Sequence, residues 1–440
     1  MRADASDEPV DGLVDRPVTA AQLDTAARVF VTPAAHADED RLYAACALLR
    51  RHSPVHRVEA PGYLPFWAVT RHGDVKDIEA RNQLFTSLPR PILVTAEEDR
   101  RNDESDFALR TLVHMDDPQH RDYRAVAADW FLPGRVALLE AQFRELARAH
   151  LDRVQRFGGA FDAVTELAMP FPLDGIMAIL GLPDEDRPRM VRLTQELFGQ
   201  NDPDMRRGSR DALGGAVMSQ AEEFRTIVED FGAYFDHLTE QRRAHPTDDL
   251  ATVIATAEVN GADMGTLERL GYYIIVATAG HDTTTAAIAG GLSALMRFPD
   301  QLELLRARPE LINTAVEEML RWSVPVKQFM RTAVSDVEIS GTMVRAGESV
   351  LLSYPSANRD ETVFEHPERF DITRSPNRHL SFGFGVHHCL GAALARLELR
   401  VLFEELLTRI DGVEPAGQPR LIETTFVGGH KSLPVRMHWR

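Results

Sequence analysis

One stretch constrains this chain more than any other: Phe382-Gly383-Phe384-Gly385-Val386-His387-His388-Cys389-Leu390-Gly391. It carries one of only two cysteines among 440 residues. It is rich in glycine and runs straight into apolar residues at helical spacing, Ala392, Leu394, Ala395, Leu397 and Leu399. A sulfur just ahead of a helix faces free N–H groups and the positive end of the helix dipole, and both favour the thiolate. A thiolate is a metal ligand and a strong electron donor. Gly383 and Gly385 permit positive φ, and Gly391 lets a flat group approach the backbone closely. His387 is placed to donate a hydrogen bond to an acidic group beside the metal. Taken alone, Cys389 also reads as a buried thiol at a helix start. Zinc is a further reading, with His387, His388 and Cys389 as ligands. Zinc sites draw four ligands from two separated clusters, however, and the chain has no C-x-x-C pair.

By length alone, 440 residues would divide into two or three domains. Apolar residues are 44% of the chain, ample for a large core. A formal charge of −18 argues against nucleic acid as a partner. With Cys389 given to a metal, no intramolecular disulfide remains, which fits a reducing cytoplasm. Residues 1–25 are acidic and poor in large apolar groups (Asp4, Asp7, Glu8, Asp11, Asp15) and read as a mobile tail. They hold neither a signal-peptide core nor about 20 successive apolar residues, so no membrane anchor is expected.

Helical spacing covers residues 40–51, about 73–81, two segments within 135–180 parted by Gly158-Gly159, residues 184–199, and about 220–244. Val55–Val58 and Pro65–Val69 read as strands, and Asp336–Leu352 as hairpin-rich. Residues 86–114 lack a sustained period and read as a long loop, as does Gln200–Gly215. The pattern from Thr266 to Met296 predicts one helix about 45 Å long. Its middle, Tyr272–Ala279, is apolar all round and therefore buried. Gly280, Asp282 and Thr283–Thr285 are locally unfavourable there, and such conflicts mark function. His120 and Arg124 are an i, i+4 pair after Pro118, and Glu318 and Arg321 an i, i+3 pair after Pro309. On spacing alone both pairs are surface decoration.

Taken whole, F-G-x-G-x-H-x-C-x-G resembles the haem-binding loop of the cytochrome P450 family, and the other motifs follow in the family's order. The resemblance implies a mainly helical fold with a small β lobe, as one domain over residues 26–440. Haem b would lie between the long central helix and the cysteine loop and its helix. Cys389 would ligate the iron and push electron density toward O–O cleavage. Phe382, Gly383, His387, Gly391 and Ala279 would line the haem. His120, Arg124 and Arg331 would hold its propionates, as Arg–carboxylate pairing favours. Ala279-Gly280-His281-Asp282-Thr283-Thr284 resembles the oxygen-activation motif. There Gly280 would make room for dioxygen, Thr283 would hydrogen-bond it during activation, and Asp282 would link it to bulk water. Glu318 and Arg321 would form a buried triad with Arg369. The helices at 184–199 and 220–244 and their loop would form a lid.

The resemblance implies a monooxygenase that inserts one oxygen atom of O2 into a C–H bond. Within the family, Ala277–Thr284, Phe329–Ala333, Leu352–Asp360, Phe370–Leu380 and Phe426–Gly429 are most similar to the soluble bacterial hydroxylases of α-terpineol. The implied substrate wall is Ile275, Ala279, Thr283, Val324, Val326, Phe329, Phe426 and Val427, almost wholly apolar. It suits a monoterpenoid or an alkyl or fused aromatic hydrocarbon. Electrons would come from a [2Fe–2S] ferredoxin and its NAD(P)H-dependent reductase, docking near Arg121, Arg124, Arg135, Arg378 and Arg396. The chain is expected to act as a monomer. A haem-thiolate peroxygenase is one alternative, although it would not need Asp282 and Thr283. A haem-based binding or sensing protein without turnover is another.

Overall fold

The computed structural model describes residues 18–104, 110–198, 202–205 and 220–440. Helices dominate, and the longest strands gather in a five-stranded sheet and a three-stranded one. The larger sheet holds β1 (Val55–Val58), β2 (Phe66–Val69), β3 (Phe85–Thr86), β4 (Gln328–Ala333) and β5 (Ser349–Ser353), in the order β1-β2-β5-β4-β3. Central β5 runs parallel to β2, with Ser349 opposite Phe66, and antiparallel to β4, with Val350 opposite Arg331. Every residue of β5 is buried, so its sequence is an apolar run instead of an alternation. The smaller sheet joins Ile410–Pro415, Pro434–Trp439 and Ala160–Asp162.

Five helices position the site: α1 (Gln119–Ala128), α2 (Thr266–Ala279), α3 (Asp282–Arg297), α4 (Ile312–Ser323) and α5 (Ala392–Arg409). Leu270, Ile288, Leu292, Met319, Leu397 and Phe403 belong to the core cluster that they share. Burial of side chains this size contributes about 1.5–3 kcal/mol each. Two glycines let α3 approach α4 closely. A Cβ on Gly290 would fall 2.5 Å from Ser323 Cβ, and one on Gly291 2.9 Å from the Met319 sulfur. Helix Gln220–Ala244 is seated on α2 by Phe235, which stacks on Tyr273 at 4.6 Å.

The predicted 266–296 helix is broken. α2 stops at Ala279, and the chain passes through Gly280 and His281 before α3 begins. His281 is fully buried, with ring nitrogens 3.1 Å from Thr194 Oγ1 and 3.2 Å from the Met169 carbonyl. The Thr283 hydroxyl donates to the Ala279 carbonyl at 2.6 Å, competing with the helix ladder. These side-chain anchors outweigh regular helical bonding at this turn.

Two segments read as irregular contain helices with the same start signal. The tail gives way to helix Ala20–Ala27, capped reciprocally by Thr19 and Gln22. Residues 1–17 lie outside the described residues. Within the predicted 86–114 loop, Ala96–Glu104 is helical, with Thr95 and Glu98 bonding to each other's backbone N–H. Of the predicted Gln200–Gly215 loop, only 202–205 are described, and they form a turn.

The buried triad has a different third member. Arg321 clasps Glu318 with two bonds of 2.7 Å, and both side chains have no exposure. Arg374, not Arg369, adds its guanidinium, 3.2 Å from Glu318 Oε2. Arg369 offers only its backbone carbonyl, to Arg321 at 3.0 Å, and Arg369 itself is exposed.

Candidate active site

The cysteine loop is shaped by its glycines. Gly383 and Gly385 take φ of +64° and +69°. A Cβ on Gly385 would lie 2.2 Å from the Glu79 carbonyl, so only glycine fits there. The Cys389 N–H donates to the Phe382 carbonyl at 2.8 Å and closes the loop. Phe382 packs beneath it, with the Arg396 guanidinium 4.5 Å from its ring centre. Gly391 caps α5, and a Cβ there would meet nothing within 4 Å. That open side leaves room for a flat group to lie against the loop.

Cys389 is exposed to this crevice. Surrounding protein still pushes its thiol above the ordinary range, because burial outweighs the Gly391 N–H, Arg124 and Arg396, which favour the thiolate. The contacts at the helix start favour the thiolate, but they do not set the net direction for a free thiol. Among the described residues, no three His, Cys, Asp or Glu side chains converge as a metal cage.

Four cationic or imidazole groups from distant segments meet beside the loop. His120 on α1 lies 4.1 Å from the His387 ring, centre to centre. Arg124, one turn on, donates to the His388 carbonyl at 2.7 Å. Arg331 on β4 is buried and donates to the Met330 carbonyl at 2.8 Å. Burial first, then Arg331, His120 and Arg124, hold His387 down at about 2, so it is neutral. His387 Nε2 lies 3.1 Å from Ser87 Oγ. Among the described residues, neither Arg124 nor Arg331 has a carboxylate within ion-pair distance, and His120 Nδ1 makes no hydrogen bond. His120 has Asp117 at 3.9 Å, but the two arginines lack such a partner, and beside the open side of Gly391 they are a donor set for a flat, doubly carboxylated group. The residues present therefore fit a haem.

Sequence reasoning missed Glu79. Burial raises it to about 7, while its Oε1 accepts from Tyr354 at 2.7 Å. It braces the cysteine loop from below and is within electrostatic reach of Arg331. Its helix, His72–Ala80, reads as an ordinary amphipathic surface helix, so nothing in the sequence marks it.

On the opposite side, Ala279, Asp282 and Thr283 gather at the break between α2 and α3. Asp282 is largely buried, its Oδ2 lacks a partner, and burial raises its carboxyl despite His281 nearby. Thr284 favours ionisation of Glu398 on α5, yet burial holds that acid well above the usual range.

The apolar wall comes together from two segments. Val326 and Val427 form an isolated β-bridge, and the rings of Phe329 and Phe426 meet at 5.3 Å. Glycine seats this turn on the central helix, since a Cβ on Gly429 would fall 2.5 Å from Ala286 Cβ. Val324 is fully buried at the end of α4, at φ +41°, a strained setting for a β-branched residue. Ile275 and Ala279, partly buried, occupy the last turns of α2.

The fold and this crevice define a helical protein that holds a haem through one cysteine-bearing loop. The cytochrome P450 family model matches residues 95–436. The chain is 39% identical to cytochrome P450-terp of a Pseudomonas species, over 93% of this chain and 96% of that protein. It is 34% identical to linalool 8-monooxygenase of Pseudomonas putida, over 88% and 94% of the two chains. The crystal structure of CYP108D1 from Novosphingobium aromaticivorans superposes with a TM-score of 0.86 at 38% identity, over 95% of this chain and 99% of that one. The chain belongs to the cytochrome P450 family: it is a P450 monooxygenase, an oxidoreductase, and its cofactor is haem b. Among the described residues, no helix is long and apolar enough to cross a membrane.

Proposed function

We propose that this enzyme hydroxylates a small apolar substrate, a monoterpenoid such as α-terpineol or an alkyl or fused aromatic hydrocarbon. One atom of O2 enters the C–H bond, and the other leaves as water with the supplied electrons and protons. The wall of Val326, Val427, Phe329 and Phe426 carries this reading, because it offers a substrate no charged partner. The names of the two relatives, P450-terp and linalool 8-monooxygenase, support the terpenoid class.

Thiolate-ligated haem, when bound, supplies the oxygen activation. In this reading Cys389 is the ligand. Arg124, Arg331 and His120 hold the haem carboxylates, and Phe382, Gly383, His387, Gly391 and Ala279 shape its bed. The Thr283 hydroxyl donates a hydrogen bond to the Ala279 carbonyl, which leaves its oxygen free to accept one. Asp282, with its unpartnered Oδ2 and a carboxyl that burial raises, is the residue placed to relay protons inward. Ile275 and Val324 complete the substrate wall. Electrons arrive from a [2Fe–2S] ferredoxin reduced by an NAD(P)H-dependent reductase, and the enzyme works as a monomer.

The test is a substrate screen on purified holoprotein. α-Terpineol, p-cymene or a fused aromatic should drive the haem toward high spin and yield a hydroxylated product. A long-chain acid as the only effective ligand would refute the substrate class. Cys389→Ala should lose the red-shifted Soret band of the reduced CO complex, and Thr283→Ala should divert reducing power to hydrogen peroxide. The docking face is best probed at Arg121, whose side chain is 74% exposed. Arg396 is a poor probe: it is bonded twice to Glu317, at 2.6 and 2.9 Å, and lies over Phe382. Arg121→Glu should slow ferredoxin-dependent reduction, and the wild-type rate should fall as salt rises.

A further inference from the structure

Behind the substrate wall, a separate cavity of about 40 Å³ opens between the N-terminal helices, α3, the end of α4 and the C-terminal hairpin. Its lining includes His36, Tyr43, Ser293, Lys327 and His430, with exposed Glu39 at its edge. Lys327 is the unusual member. It is 8% exposed, and its ammonium donates to the Ser323 and Val324 carbonyls at 3.2 and 2.9 Å. Those bonds use two of its three donors. Among the described residues, no carboxylate lies within ion-pair distance of it. A buried, unpaired charge is costly unless something neutralises or solvates it.

The other groups are also donors in waiting. His36 is 4% exposed, and neither ring nitrogen makes a hydrogen bond; burial first, then the Lys327 charge, hold it down at about 3 against the nearby Val29 carbonyl, so the neutral ring offers one N–H. Among the described residues, the side chains of Tyr43, Ser293 and His430 have no hydrogen-bond partner in the protein. A cation with one free N–H, two imidazoles and two hydroxyls therefore share one space. Its volume exceeds the roughly 10–15 Å³ that one water needs. Glu39 disfavours a dianion at the entrance.

We propose that this cavity is a binding site for a small monovalent anion of the chloride, nitrate or formate class, held by the Lys327 ammonium and the donors facing it. Lys327 lies on the chain between Val326 and Phe329, and its backbone N–H donates to the Phe426 carbonyl at 2.8 Å. The site thus borders the substrate wall without being part of it.

The test uses the haem-loaded protein at constant ionic strength, replacing gluconate, too bulky for the cavity, with chloride. The unfolding midpoint should rise saturably, and chloride NMR lines should broaden. Lys327→Gln should weaken the apparent affinity by about tenfold or more, the worth of a charge-assisted bond. A linear, non-saturating response that is the same in wild type and variant overturns the proposal. Should the variant fail to fold, a bromide soak of wild-type crystals decides. Bromide within hydrogen-bond distance of Lys327 Nζ supports the site, and water alone at saturating bromide overturns it.

Discussion

Replacing Arg374 with alanine should cost far more than replacing Arg369, although Arg369 sits in the more familiar-looking sequence context. Glu318 has no exposed surface, and Arg374 is only 10% exposed. Breaking a buried ion pair by removing one partner costs about 3–5 kcal/mol. Here Glu318 keeps Arg321, the Asn377 amide at 3.0 Å and the Asp371 N–H at 2.8 Å, which moderates the loss. Arg374 also bonds to the Glu365 and Arg369 carbonyls, at 2.8 and 3.1 Å, and those bonds go with it. The net is about 3 kcal/mol. An unfolding entropy of about 2.1 cal/mol/K per residue over 440 residues gives about 0.9 kcal/mol/K. Arg374→Ala should therefore lower the unfolding midpoint of the holoprotein by about 3 °C. Arg369→Ala keeps the carbonyl that serves Arg321 and should stay within about 0.5 kcal/mol of wild type. Thermal unfolding followed by far-UV circular dichroism, at matched haem occupancy, reads both. Equal losses, or a silent Arg374→Ala, would refute the assignment of the triad.

Other consequences are as direct. Gly385→Ala forces a Cβ toward the Glu79 carbonyl at positive φ, so haem retained per chain should drop markedly; full retention would mean that the loop yields cheaply. Thr95→Ala should cost helix Ala96–Glu104 about 1 kcal/mol and speed amide exchange in its first turn, which an unchanged exchange rate would contradict. His114 is lowered from 6.5 to about 4 by burial and then by Arg110. Below its ordinary value the unfolded chain takes the extra proton, so stability falls as pH drops from about 6.5 to 4. His114→Asn should make that fall shallower by up to about 1.4 kcal/mol per pH unit, and an identical slope would remove His114 from the account.

The parts of the site that could be read from the sequence are those encoded within a few residues. The cysteine loop, the His120–Arg124 pair and the Glu318–Arg321 pair each fit within one turn or loop, and each forms as spaced. The missed features depend on chain-distant neighbours. Arg369 and Arg374 are equally plausible in sequence, and only the path of the chain decides which guanidinium faces Glu318. The break at Gly280–His281 is set by Thr194 and Met169, on segments about a hundred residues earlier. Glu79 matters because the cysteine loop rests on it, which no pattern in its own helix announces. The Thr19–Gln22 and Thr95–Glu98 caps were legible, since both carry the S/T-x-x-E/Q spacing. The acidity of residues 1–25 and the lack of a sustained period in 86–114 point instead to irregular chain.

The electrostatics of the crevice show why total charge says little about a site. The chain carries −18, yet its haem crevice is locally positive. The fold achieves this by spending its acids elsewhere. Glu317 is taken by Arg396 and His379, Glu318 by Arg321 and Arg374, and Glu140 by Arg144 and Arg400. Burial also raises two acids near the crevice, Glu79 to about 7 and Asp282 above its ordinary range. Among the described residues, Arg124 and Arg331 have no carboxylate of the chain within ion-pair distance. The same reasoning separates the arginines around the cysteine loop. Arg396 is internally neutralised and structural, whereas Arg121 projects into solvent and, among the described residues, pairs with Asp122 alone, at 3.5 Å. A side chain that exposed, held by its neighbour only beyond hydrogen-bond distance, still adds to the surface field, whereas a doubly bonded pair such as Arg396–Glu317 largely cancels its own.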